Sequence, residues 1–143
     1  MERAKKIVID ASVAVKWFNP EKYSDIADSM KNKHIKGIIR LVSPTLMVFE
    51  VANALRYNPD FGLSNVKDAV RDLLDLQVSL VNPYTTLMER AVELAFKYGV
   101  TIYDACYVAL AKDIGSIAYT ADEKLLEKIS GEEPLKNLSE FKC

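Results

Sequence analysis

Four acidic residues of this chain, Asp10, Glu50, Asp104 and Asp122, stand where a carboxylate is costly. Asp10 ends the apolar run Ile7-Val8-Ile9, and Glu50 interrupts the apolar stretch between Leu46 and Ala52. Asp104 opens the apolar segment Ala105 to Ala111, and Asp122 follows Ile117-Ala118-Tyr119-Thr120. A carboxylate at such positions needs a partner. If the fold gathers the four, their charges repel and raise one another's pKa unless a cation neutralises them. A cluster of hard oxygen ligands suits Mg²⁺ or Mn²⁺. The set is therefore a candidate metal site.

Each Asp also has a plainer use. Asp10 and Asp122 stand where they would cap short helices, and Thr101-Ile102-Tyr103-Asp104 has the spacing of a capping box. Glu50 is harder to explain that way. It lies inside a helical stretch that is apolar on both sides, with Asn53 on the same face and Arg56 roughly opposite. Other chemistries lack their residues. The only histidine is His34, in the polar run Lys31 to Lys36 that reads as a solvated helix end. That leaves no Ser-His-Asp or Cys-His arrangement and no paired histidines for acid–base work. There is no glycine-rich phosphate loop. An aspartyl-phosphate enzyme would want a second Asp two places after the first, where Ser12 stands.

The elements that must position the acids can be read from periodicity. Ile7-Val8-Ile9 reads as a strand buried on both faces, followed by a turn and a short helix over 13–18. A polar helix follows from Pro20 to about Lys33, then a strand over 38–43 and a helix from Pro44 and Thr45 to about Tyr57. Ser64 caps a helix over 66–76, and 78–81 is a third strand. Residues 84–98 carry one apolar stripe and end at Gly99. A helix over 103–112, a strand over 117–119, a helix over 122–129 and a short strand near Leu135 complete the chain, with a turn at 139–141. Apolar strands alternating with helices predict an α/β fold, a parallel sheet with helices on both faces. Its site should lie outside the carboxyl ends of the strands, where all four acids can meet.

Composition fits one compact domain over 1–143: half the residues are apolar and glycine and proline are few. With 19 basic and 20 acidic residues, the net charge of −1 gives no global attraction to polyanions, so any nucleic acid must be drawn by a local patch or a bound cation. Lys16 and Arg40, near predicted strand ends, are candidate phosphate contacts; Lys5 and Lys6 read as solvated. Cys106 reads as a buried small hydrophobe and Cys143 as a terminal thiol, with no disulfide framework or zinc motif. Trp17, Phe18 and Val48 read as core. The basic start before Ile7 imitates a signal, but Asp10 and Lys16 interrupt the apolar stretch after it, and no stretch is apolar enough to span a membrane. A reducing cytoplasm is the expected compartment.

The opening from Ile7 to Phe18 resembles that of PIN-domain nucleases, especially the VapC toxins of toxin–antitoxin pairs. Glu50-Val51-Ala52-Asn53 is similar to their Glu-x-x-Asn motif, Tyr103 to Ala111 to their third motif, and Thr120-Ala121-Asp122 to their Thr-x-Asp. The motifs occur in family order over almost the whole chain. One departure is Leu125, where many relatives carry an aromatic, and residues 58–76 match nothing informative. The resemblance implies a three-layer α/β/α fold on about five parallel strands, and Mg²⁺- or Mn²⁺-dependent endonucleolytic cleavage of RNA through Asp10, Glu50, Asp104 and Asp122. Ser12, Asn53 and Thr120 would orient carboxylates or water around them. It also implies a small antitoxin partner and a homodimer. Two other readings stand beside the toxin: a PIN nuclease of ribosomal-RNA processing or RNA quality control, and a PIN-like scaffold that binds without cutting.

Overall fold

A computed structural model describes residues 3–129 and 131–142. Five parallel strands form its sheet: β1 (Lys5–Ile9), β2 (Ile39–Pro44), β3 (Ser79–Val81), β4 (Ala118–Thr120) and β5 (Leu135–Asn137), in the order β3-β2-β1-β4-β5. The helices are α1 (Ala11–Ala14), α2 (Ser24–Ile35), α3 (Leu46–Arg56), α4 (Leu63–Asp75), α5 (Thr85–Tyr98), α6 (Ile102–Ile114) and α7 (Glu123–Lys128). This is the expected three-layer α/β/α arrangement. The chain builds outward from β1 through β2 to β3, then returns to lay β4 on the other side of β1. Right-handed crossovers send the connecting helices to opposite faces when the direction of travel reverses. The reversal leaves a crevice between the carboxyl ends of β1 and β4, the usual ligand position of such sheets.

The strand register fixes that crevice. Val8 pairs with Ala118 and Ile9 with Tyr119, so Asp10 and Thr120 emerge side by side. Ser43 of β2, fully buried, donates to the Ile9 carbonyl at 2.7 Å and secures the other flank of β1. Ile7, Val8 and Ile9 are buried because helices cover both faces. Gly99 and Gly115 end α5 and α6 in the left-handed conformation, at φ 66° and 65°, which L side chains adopt only at a cost. Cys106 is buried, as its apolar run implied, and Cys143 lies outside the described residues. Trp17, Phe18 and Val48 are half-buried against the core. Among the described residues no helix is long and apolar enough to cross a membrane.

Several expectations shift. The first helix is one α-turn followed by a 3-10 turn over Val15–Trp17. The second begins at Ser24 rather than Pro20: the Ser24 hydroxyl accepts the Glu21 N–H at 2.7 Å, and Tyr23 takes a left-handed φ of 66°. Helix α4 starts after Gly62, not Ser64, with the Asn65 side chain accepting the Gly62 N–H at 2.8 Å.

His34 is the larger correction. It is buried, not solvated. Its Nδ1 accepts the Leu41 N–H at 3.0 Å, which leaves the proton on Nε2 to donate to the Leu76 carbonyl, also at 3.0 Å. The neutral ring thus ties α2 to β2 and to the end of α4. The Leu41 N–H is buried, so losing its acceptor costs roughly 1–3 kcal/mol. His34→Ala should lower the free energy of urea unfolding by at least that much. A change within the measurement error would contradict the tie.

Candidate active site

Asp10 is the most buried of the four acids, at 6 % exposed. Both its oxygens are held. Oδ1 accepts from the Ser12 hydroxyl at 2.5 Å and from the Val13 N–H at 3.3 Å. Oδ2 accepts from the Thr120 hydroxyl at 2.5 Å. The two hydroxyls are themselves oriented by backbone: Ser12 Oγ accepts the Ala121 N–H at 2.8 Å, and Thr120 Oγ1 accepts the Asp122 N–H at 3.0 Å. Each hydroxyl has one proton, and each directs it at Asp10, as an ionised acceptor requires. Burial nevertheless pushes the Asp10 pKa up to about 6; these hydrogen bonds pull it down, and the charge of Asp104 adds to the rise.

The remaining acids come from three helices. Glu50, half-buried on α3, accepts from the Tyr107 hydroxyl at 2.5 Å through Oε1. Burial raises its pKa and the charge of Asp104 raises it further, while Tyr107 opposes the shift. Asp104 sits in the first turn of α6, where its N–H donates to the Thr101 hydroxyl at 3.0 Å. Its pKa is raised by burial and then by the charge of Asp122, with Thr101 and Lys128 pulling the other way. Asp122 caps α7, its Oδ1 accepting the N–H groups of Lys124 at 3.0 Å and Leu125 at 3.2 Å. The cap readings of Asp10 and Asp122 therefore hold alongside any chemical role.

The four acids form one electrostatic group centred on Asp104, whose charge reaches Asp10 and Glu50 and which feels Asp122. Among the described residues, none of them makes an ion pair with a Lys or Arg. No three His, Cys, Asp or Glu side chains among those residues converge to hold an ion. The donor chemistry still fits a hard divalent cation: carboxylate oxygens, two of them pre-aimed by hydroxyls, in a group of like charges.

Other sequence candidates lie differently. Ser12 and Thr120 are at the centre of the site, whereas Asn53 is exposed on α3 one turn beyond Glu50. Lys16 is buried and its ammonium pairs with Glu21 at 3.4 Å. Arg40 lies level with Lys6, four residues before Asp10 and so about 13 Å back along the strand direction, with its Nε on Ser79 Oγ at 2.7 Å. It is not brought to the acids. A cavity of about 240 Å³ adjoins Asp104 and Asp122, and its lining adds Lys124 and Lys128. These two lysines and Tyr107 were missed. The lysines carried a signal, a spacing of four along a helix that starts at Asp122. Leu125 is buried in the core.

Comparison with known proteins agrees with this fold. A family model described as "PIN domain" matches residues 7–131. Ribonuclease VapC3 of Pyrobaculum aerophilum is 35 % identical over 86 % of this chain and 94 % of that protein. Exonuclease VapC9 of the same organism is 29 % identical over 70 % of this chain and 75 % of that protein. A toxin–antitoxin complex from Klebsiella pneumoniae contains a chain with the same fold, at a TM-score of 0.69 and 15 % identity, covering 94 % of this chain and 99 % of that one. The chain belongs to the PIN-domain family.

A pH dependence follows from Asp10. Its folded pKa of about 6 exceeds the ordinary 3.8, so protonation favours the folded state. That contribution is complete below 3.8 and is lost as pH rises through about 6. In chelator, raising the pH through this window should lower the melting temperature of the parent more than that of Asp10→Asn. Parallel pH profiles would contradict the burial assigned to this carboxylate.

Proposed function

We propose that this chain is a divalent-cation-dependent endoribonuclease, the toxin of a toxin–antitoxin pair. The observation that supports the reading is the mutual electrostatic influence of the four acids, linked through Asp104, with no ion-paired Lys or Arg among the described residues. Its likeness to a protein named ribonuclease supports RNA as the substrate. The toxin–antitoxin complex among its structural neighbours supports a protein antitoxin, and a homodimer belongs to the same reading.

Asp10, Glu50, Asp104 and Asp122 would hold Mg²⁺ or Mn²⁺, directly or through water. When bound, the ion neutralises the charge of the acids and the phosphodiester and acidifies water. The protein's own part is positional. Ser12 and Thr120 keep Asp10 ionised and fixed inside an apolar surround. Lys124 and Lys128, beside Asp104 and Asp122, are placed to meet the RNA backbone and supply the local positive charge that the whole chain lacks. Water attacks phosphorus in line with the 3′ oxygen, which leaves, so the products carry a 5′-phosphate and a 3′-hydroxyl.

Total cellular RNA and a circular single-stranded RNA, each incubated with Mg²⁺, with Mn²⁺ or with chelator, test the reading. A circle has no ends, so its opening separates endonucleolytic from exonucleolytic cutting. Cleavage should need the divalent ion and fall by orders of magnitude in Asp10→Asn. Cutting at the parent's rate by that variant, or in chelator, would overturn the assignment. Lys124→Ala with Lys128→Ala should weaken RNA binding and flatten its salt dependence.

A further inference from the structure

Resting on the ribonuclease reading above, we propose that Tyr107 is a positioning residue of the site, its hydroxyl fixing the Glu50 carboxylate at the crevice and thereby strengthening divalent-cation binding there. Tyr107 lies three residues after Asp104 on α6, so the two share a helix face. Its ring is among the largest fully buried side chains, at 1 % exposed, and is held by the core. Its hydroxyl reaches across to α3 and donates to Glu50 Oε1 at 2.5 Å. The phenol oxygen thus joins α3, which carries Glu50, to α6, which carries Asp104.

A buried tyrosine needs a partner for its hydroxyl, and a backbone carbonyl would satisfy it. Here the partner is a half-exposed acid of the crevice on a flexible side chain. The tyrosine ring has two rotatable bonds and no room to turn, so the bond transfers the rigidity of the core to one oxygen of Glu50. Ser12 and Thr120 do the same for Asp10. Holding a ligating carboxylate through a hydrogen bond from outside is the arrangement whose loss typically costs about 10–100-fold in metal affinity or activity.

Tyr107→Phe removes only the hydroxyl. Two readouts are taken well below the variant's own melting temperature: the Mn²⁺ concentration at half-maximal binding by calorimetry, and kcat and KM on a fluorogenic single-stranded RNA. The Mn²⁺ midpoint should rise about 10–100-fold, and kcat should fall with KM near the parent's. In a Glu50→Gln background the same substitution should leave the Mn²⁺ midpoint where that variant sets it. A Tyr107→Phe protein with the parent's Mn²⁺ midpoint, differing only in melting temperature, would overturn the proposal and make Tyr107 a core residue alone. A midpoint that shifts equally with and without Glu50 would overturn it too. If the parent does not cut RNA, the ribonuclease reading falls, and the Mn²⁺ midpoints still decide the role of Tyr107.

Discussion

The burial of one ionised carboxylate organises this molecule. Asp10 must leave the end of β1 into an apolar surround, between two strands and under a short helix. It survives there because two hydroxyls and one backbone N–H meet its oxygens, and because the hydroxyls are in turn aimed by the Ala121 and Asp122 backbone. The Thr120 hydroxyl and the two N–H groups that aim the hydroxyls are there only because β4 lies beside β1 in the observed register. The sheet order, the turn after β4 and the state of Asp10 are therefore one constraint.

The other acids strain against that arrangement. Asp104 raises the pKa of Asp10 and of Glu50, and Asp122 raises that of Asp104. A protein selected for stability alone would have neutral side chains here, since like charges in a partly buried crevice oppose folding. Structural work still comes from the same groups. Asp10 and Asp122 cap helices, and Thr101 caps α6 so as to present Asp104 in its first turn. Each Asp thus has a local reason to be held in place, and the group has a collective repulsion that a divalent cation would relieve.

The acids and the order of elements were legible because both rest on local patterns. An apolar run ending in Asp shows a buried strand and its exit, and a helix that is apolar around Glu50 shows an acid with no local excuse. His34 misled because Lys31, Lys33 and Lys36 give its segment the look of solvent, while the groups that bury it, Leu41 and Leu76, lie far along the chain. Tyr107 was hidden for the opposite reason: within an apolar run it reads as core, and core is where its ring is, yet its hydroxyl belongs to an acid 57 residues away. Arg40 failed on direction. Nearness to a strand end says nothing of which end, and β2 carries Arg40 near its amino end. Tertiary pairing decided each of these, and periodicity does not report it.

The four acids are proposed to form one cation site. Crystals soaked in Mn²⁺ and measured for anomalous scattering test it most directly. An anomalous peak is expected in the crevice between β1 and β4, coordinated by carboxylates from the set Asp10, Glu50, Asp104 and Asp122. Full-occupancy Mn²⁺ bound only elsewhere on the molecule, with the crevice empty at the same concentration, would contradict it.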